Sequence, residues 1–346
     1  MSERKLLVVG GGLIHAYNII ELIKGYFDDI FLITDVKDDK FKDIKHEVLN
    51  FSFSNPLNPI ILPFKINKII NDYKPDFIVI IQVDTAAFST IIANKKKIPT
   101  LVIAFGSDVL IIPDKGFLYK QMAKFVLKRG KYFNTGAKYA VDKMNEIAGK
   151  DLDVVVANSG FEPGCKPMPK QNIIYSNRLH KPLYRIPQII EAFARFVANK
   201  EREDWKLVIG ATGDEDNLKQ KAKELGIEDK VEFIGWVEKE ENNYYYSISK
   251  IWISIPESDC TPISLMEAMA AGCIPIMSDL DANKEWVEEG RNGIIVSDYN
   301  CNYIERALSL DYDYLLDYNL KLMEKEGTKE ANRKKFYSIF DKEFKN

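Results

Sequence analysis

The segment best equipped for chemistry reads Pro256-Glu257-Ser258-Asp259-Cys260-Thr261-Pro262-Ile263-Ser264-Leu265-Met266-Glu267-Ala268-Met269-Ala270-Ala271-Gly272. Thr261 is a natural N-cap and Pro262 suits the first helical position, where its missing N–H would have no partner anyway. The apolar run Ile251 to Ile255 comes just before, so a helix over Pro262 to Ala271 starts beyond a strand end. Its free N–H groups and positive dipole end then form an anion site for a phosphate, in the crevice where doubly wound sheets bind ligands. Glu267, in the second turn, is placed to accept two hydrogen bonds from a ribose diol, and Asp259 to reach a sugar hydroxyl from the loop. The same residues also read as a Thr-Pro cap followed by a solvated glutamate, and spacing alone does not separate the two.

Other signals carry less. Gly10-Gly11-Gly12 could open a G-x-G-x-x-G dinucleotide fingerprint with Asp35 as its ribose acid, but His15 stands at the third glycine, so the signature is incomplete. Asp-x-Asp pairs at Asp151/Asp153, Asp214/Asp216, Asp279/Asp281 and Asp311/Asp313 could hold Mg²⁺, yet among 51 acidic residues they are mostly chance. Three histidines and four scattered cysteines, without C-x-x-C or H-E-x-x-H, do not supply a structural zinc site. No metal site is assigned, and the cysteines read as free thiols of a reducing cytosol.

The elements that position these residues follow from periodicity. Lys5 to Val9, the glycines, a helical pattern Ala16 to Tyr26 and the run Ile30 to Thr34 open a parallel, doubly wound sheet. The runs Phe77 to Val83, Thr100 to Ala104 and Asp153 to Ala157 continue it. Gly160 to Pro169, with Pro163, Gly164, Pro167 and Pro169, reads as a linker. A second alternation then runs from strand Asn172 to Ser176 to strand Gly293 to Val296. At 346 residues, 46% hydrophobic and 29% charged, the chain fits two soluble domains. The boundaries expected are 1–165, 166–320 and a C-terminal helix in 321–346 that packs back on the first domain. No apolar stretch reaches the roughly 20 residues of a membrane span, and the start is too short for a secretory signal, so a cytosolic protein is expected. Net charge of −3 argues against nucleic acid as a partner. Split at Cys165, the first part has 22 basic and 19 acidic residues (+3), leaving 48 − 22 = 26 against 51 − 19 = 32 (−6).

Asp259 and Glu267, with seven residues between them, then Ala-Met-Ala-Ala-Gly-Cys-Ile-Pro-Ile, Glu285-Trp286 and Gly290-Arg-Asn-Gly293, resemble the acidic-x7-Glu signature of retaining glycosyltransferase family 4. Lys206 to Gly210, Val231 to Gly235 and Tyr244 to Ile255 fall where that family places its strands and helices. Gly106-Ser107-Asp108-Val109 matches a loop many members carry in the first half. The resemblance implies an α/β protein of GT-B fold, two Rossmann-like doubly wound domains facing a central cleft. It also implies a retaining transfer of a hexose or N-acetylhexosamine from a UDP- or GDP-sugar to an oligosaccharide or lipid-linked acceptor, in surface-glycan assembly, with no cofactor or metal.

By the same resemblance Glu267 binds the ribose, Asp259 the transferred sugar, and Arg178 the diphosphate whose charge grows as the glycosidic bond breaks. Backbone groups of Cys260, Thr261, Pro262 and Ile263 approach the phosphate and sugar. Phe233, Ile234 and Gly235 line the base, and Gly10, Gly11, Gly12 and Leu13 close over the diphosphate. The sequence departs from the family at three places: Asp259 replaces a usual Glu, Tyr184 the phosphate-binding Lys, and Phe105 a frequent His. Lys181 or Arg185 would then supply the missing charge, and Asp108 would orient a sugar hydroxyl or merely cap its turn. Retention in this family resembles a front-face displacement in which the leaving phosphate takes the acceptor proton, so no protein base is needed. The alternatives are a sugar-nucleotide epimerase or hydrolase of the same fold, and a non-catalytic or redox Rossmann protein.

Lys115 to Lys131 contains no acid. Lys120, Lys124 and Lys128 line one helical face beside Leu118, Met122, Phe125 and Val126. That pattern suits a helix on the anionic inner face of the cell membrane, or a core-packed helix with a solvated lysine edge.

Overall fold

The computed structural model describes residues 3–11, 13–164, 166–259 and 262–345, with Leu13 described by its backbone alone. The chain divides into two compact units, 1–159 with 332–346, and 160–331.

The first unit alternates β1 (Lys5–Val9), α1 (Leu13–Ile23), β2 (Asp29–Thr34), β3 (Lys45–Val48), α2 (Asn58–Tyr73), β4 (Phe77–Ile81), α3 (Thr85–Ala93), β5 (Thr100–Ala104), α4 (Ser107–Leu110), α5 (Phe117–Arg129), β6 (Tyr132–Thr135), α6 (Lys138–Ala148) and β7 (Val154–Val156). Its strands form one parallel sheet in the order β3-β2-β1-β4-β5-β6-β7. Helices on both faces bury such a sheet, which is why β4 reads as an unbroken apolar run, Phe-Ile-Val-Ile-Ile, with every residue fully buried.

The second unit holds β8 (Gln171–Ser176), α7 (Ile186–Val197), β9 (Lys206–Ile209), α8 (Glu215–Glu224), β10 (Val231–Phe233), α9 (Lys239–Ile248), β11 (Ser249–Ser254), α10 (Ile263–Ala270), β12 (Ile274–Ser278), α11 (Asp281–Lys284), β13 (Ile294–Val296), α12 (Tyr303–Leu308) and α13 (Tyr312–Leu322). Its parallel sheet runs β10-β9-β8-β11-β12-β13. In α7 the apolar positions Ile186, Ile189, Ile190, Phe193, Phe196 and Val197 recur at helical spacing and are the buried ones.

The division falls at 159/160 rather than 165/166, because the linker is stitched into the second unit. Phe161 donates from its N–H to the Gly327 carbonyl at 3.0 Å and accepts from Lys329 N–H at 2.8 Å. The last helix, α14 (Lys329–Phe344), crosses the division. Beyond residue 331 it belongs to the first unit, where Phe336, Ile339 and Phe340 are fully buried against Phe27 and Phe77. Residues 321–331 stay with the second unit, so the expected C-terminal segment is split.

Candidate functional site

In the second unit the strand order reverses between β8 and β11, so the loops leaving these two neighbours diverge and open a crevice at the carboxyl edge. Asn177 and Arg178 leave β8, while Ile255 to Asp259 leave β11 and lead to α10. The helix begins at Ile263 with Pro262 in the N-cap position, one residue later than expected. Cys260 and Thr261 lie outside the described residues.

Arg178 is the centre of this edge. It donates from one terminal nitrogen to Asp259 and from the other to Ser264 Oγ at 3.1 Å, in the first turn of α10. Its guanidinium also stacks on the Tyr184 ring at 4.6 Å, a cation–π contact that fixes the plane of the head group. Its Nε is buried and has no hydrogen-bond partner among the described residues. An unpaired buried donor on a cation is costly, and it marks a place where an anion is well received.

A second network fixes the acid of α10. Trp252 Nε1 donates to Asn177 Oδ1 at 2.9 Å, and Asn177 Nδ2 donates to the Tyr246 hydroxyl at 2.7 Å. Tyr246, fully buried, in turn hydrogen-bonds Glu267. Burial pushes the Glu267 carboxyl above the ordinary glutamate range, opposed by the Tyr246 hydroxyl and the attraction of Lys239. The result is a half-buried carboxylate held in one orientation, as bidentate recognition of a diol requires.

A cavity of about 310 Å³ opens beside Arg178, lined by Asn177, Arg178, Leu179, Tyr184, Gly210, Ala211, Trp236, Val237 and Asn242. Ile234 follows β10, its N–H donating to Ile209 at 3.0 Å, and its side chain lies close to Gly210. Gly235 has φ +70°, a left-handed conformation natural to glycine, and presents open space where a side chain would begin. Trp236 follows, 65% exposed. An exposed indole beside a buried cation suits a stacking heterocycle joined to a phosphate. Sequence reasoning passed over Trp236, Asn177 and Tyr246. The signals available were the tryptophan next to the expected base-lining glycine and an asparagine next to the expected arginine.

Of the two basic candidates for the missing lysine, Lys181 is exposed. Arg185 is committed elsewhere: it donates to the Pro256 carbonyl at 3.2 Å and the Tyr299 hydroxyl at 2.6 Å, and its Nε lies 3.6 Å from Glu257. Arg185 therefore braces the loop that carries Asp259.

In the first unit, Gly10 and Gly11 follow β1, and the Asp35 carboxylate lies against Gly11. Gly12 and the Leu13 side chain lie outside the described residues. Asp108 is 2% exposed, and its two oxygens accept from the backbone N–H groups of Val83, Phe105 and Gly106 at 2.9–3.0 Å. It clamps the β4 and β5 exits together, which leaves it no exposed face for a sugar hydroxyl; the capping alternative is the one its geometry matches. His15 packs on Phe105 with ring centroids 4.2 Å apart, so an imidazole reaches this edge from α1 although Phe105 holds the position where the family often has one. Asp84 caps α3 through bonds from Ala86 and Ala87 N–H, and burial pushes its carboxyl up to about 7. Among the described residues no group of three or more His, Cys, Asp or Glu could hold a metal ion, and no helix is long and apolar enough to cross a membrane.

Two parallel-sheet Rossmann-like units with a nucleotide-type crevice in the second define the GT-B class. Residues 135–313 match the family model described as glycosyl transferases group 1, and residues 6–135 match one described as glycosyl transferase 4-like. The chain belongs to the glycosyl transferases group 1. An uncharacterized glycosyltransferase of Haemophilus influenzae is 33% identical over 117 residues, 33% of this chain and 32% of the relative. The GDP-mannose:cellobiosyl-diphosphopolyprenol alpha-mannosyltransferase of Xanthomonas oryzae is 28% identical over 123 residues, 34% of this chain and 32% of the relative. The matches thus span about a third of the length of these curated relatives. The crystal structure of Anabaena Alr3699/HepE in complex with UDP has the same fold, with a TM-score of 0.80 at 14% identity, covering 98% of this chain and all of the other.

Proposed function

We propose that this protein is a retaining glycosyltransferase that moves a hexose or N-acetylhexosamine from a UDP- or GDP-sugar to a glycan acceptor, lipid-linked, in surface-glycan assembly. The observation that carries this reading is Arg178, whose buried Nε has no partner among the described residues, beside the first turn of α10 and the cavity edged by Trp236. Arg178 binds the diphosphate and stabilises its growing charge as the sugar leaves, the largest electrostatic task in such a transfer. Glu267 holds the ribose hydroxyls, Asp259 orients the transferred sugar, and backbone groups near Ile263 approach the phosphate. A guanidinium and a helix N-terminus neutralise the phosphates, so the reading needs no metal. The leaving phosphate oxygen takes the acceptor proton, which removes the need for a protein base. Support for the nucleotide comes from the UDP named with the Anabaena structure, and for a lipid-linked acceptor from the diphosphopolyprenol in the Xanthomonas relative's name. The site of action is the cytosol, at the inner face of the cell membrane, with residues 115–131 toward the lipid.

Thermal-shift measurement with UDP, GDP and NAD tests the reading. A nucleoside diphosphate at a hundred times its Kd should stabilise the fold by about 2.7 kcal/mol, whereas stabilisation by NAD alone would overturn the assignment. Donor-dependent product formation with a panel of nucleotide sugars and polyprenyl-linked acceptors then separates transfer from epimerisation or hydrolysis.

A further inference from the structure

Three loops at the carboxyl edge of the second sheet converge on one guanidinium. Arg185 closes the loop from β8 to α7, Ile255 to Asp259 follow β11, and Tyr299 stands between β13 and α12. Arg185 Nη1 donates to the Tyr299 hydroxyl at 2.6 Å and reaches the Ile255 and Pro256 carbonyls at 3.4 and 3.2 Å. The guanidinium also lies over the Tyr299 ring, 4.8 Å from the centroid, so Tyr299 holds it by face and by hydroxyl. Arg195 of α7 donates from Nη2 to the Tyr299 carbonyl at 2.7 Å, which ties the third loop back to the helix that follows Arg185.

Arg185 is held in a backbone conformation that an arginine resists. Its φ of +52° and ψ of +38° are left-handed, where Cβ crowds the following carbonyl. It occupies the N-cap position of α7 without capping the helix through its side chain, so the helix start does not explain the residue. Strain of this kind persists where the surroundings over-determine it, and it gathers at functional sites. The contacts that hold Arg185 are those to Tyr299 and to the loop that carries Asp259. That loop is tied a second time, by the Glu257 N–H donating to the Leu183 carbonyl at 2.9 Å. Asp259, two residues further on, pairs with Arg178, whose guanidinium lies on the ring of Tyr184, the neighbour of Arg185 in the chain. A shift of Arg185 is therefore felt at both the acid and the cation of the site. Tyr299 itself is not among the residues lining the cavity beside Arg178.

We propose that Tyr299 is a positioning residue for the transfer: through Arg185 it fixes the main chain of Ile255 to Glu257, and with it the place of Asp259 against Arg178. The inference rests on the transferase reading for the roles of Arg178 and Asp259. Nucleotide binding draws on Arg178 and on Glu267, whose network through Tyr246, Asn177 and Trp252 does not pass through Arg185. Loosening the Tyr299 contact thus acts on the sugar-transfer step and spares the nucleotide.

Tyr299→Phe keeps the ring over Arg185 and removes the hydroxyl, whereas Tyr299→Ala removes both; the residue is half-buried, in a loop. In transfer from whichever nucleotide sugar the wild type uses, kcat should fall at least about tenfold in Tyr299→Phe, the scale of one hydrogen bond to a charged group. It should fall about a hundredfold in Tyr299→Ala, the scale of a misplacement of about 1 Å. Donor KM, the nucleoside diphosphate thermal shift and the melting temperature should stay at their wild-type values. Adding Arg185→Lys to Tyr299→Phe should cost less than the sum of the two single changes, because both break one contact. Hydrogen exchange at the Glu257 amide should quicken at least tenfold in Tyr299→Ala, a readout that needs no activity. Unchanged kcat, a kcat loss that tracks a lowered melting temperature, additive effects of the two substitutions, or unchanged exchange at Glu257 would each overturn the inference. A wild type that transfers from no nucleotide sugar would instead overturn the transferase reading, and the exchange measurement would still decide whether Tyr299 holds the loop.

Discussion

At Arg178 and Asp259 a cation and the acid expected to touch the sugar are joined in one ion pair, with side chains 14% and 21% exposed. Asp259→Ala removes one partner of Arg178 and leaves Ser264 and Tyr184 in place. It should spare UDP or GDP binding and abolish transfer, read by thermal shift and product formation; loss of the nucleotide shift would mean that Asp259 acts through Arg178. Glu267→Ala removes the ribose acceptor held by Tyr246. Two hydrogen bonds to a charged group are worth at least about 3 kcal/mol together, so the nucleotide shift should vanish. Asp84 offers a pH test. Its folded pKa of about 7 lies above the ordinary 3.8, so folding takes up a proton between these values and wild-type stability falls as pH rises through the window. About three pKa units correspond to about 4 kcal/mol. Asp84→Asn keeps the cap oxygen and loses the titration, so denaturant unfolding at pH 4 and pH 8 should show the variant gaining on the wild type at the higher pH. A pH-independent difference would contradict the assigned burial. The types and spacing of Asp259 and Glu267 were readable because a short loop and one helix carry both. The fate of Asp108 and Arg185 was not, because their partners, Val83 and Tyr299, are 25 and 114 residues away.

At the scale of elements, most strands of both sheets were visible as apolar runs, since parallel strands buried on two faces leave no polar alternation; β3, an exposed edge strand reading Lys-His-Glu-Val, and β6, reading Tyr-Phe-Asn-Thr, carry no such run and were not marked. The amphipathic α7 was visible for the same kind of reason. α2, α4, α6, α11, α12 and α13 were not marked, and α2 carries Pro59 and Pro63, residues that read as breakers although one sits in its first turn. α14 reads as polar, with a weak apolar stripe, yet it buries three full side chains. Phe340→Ala should cost about 3–5 kcal/mol, measured by denaturant unfolding; a cost below about 1 kcal/mol would mean that the helix is not part of the first core.

At the scale of the whole molecule, two cores imply two unfolding transitions. Phe340 belongs to the first unit and the cavity beside Arg178 to the second. Calorimetry should therefore show Phe340→Ala lowering one transition and UDP raising the other, and a single transition moved by both would refute the division. The excess of positive charge in the first part, +3 against −6, is concentrated in two stretches: residues 85–97 and 115–131 carry nine Lys and Arg and no Asp or Glu. By itself the sequence determined the chemistry available, two alternating α/β halves and an acidic pair spaced around a helix start, because these are local properties of type and period. Tertiary structure decided which charges are committed and which faces stay bare. The pairing of Arg178 with Asp259, the bracing by Arg185 and the clamp at Asp108 all depend on side chains brought together from distant segments, and no local period encodes those meetings.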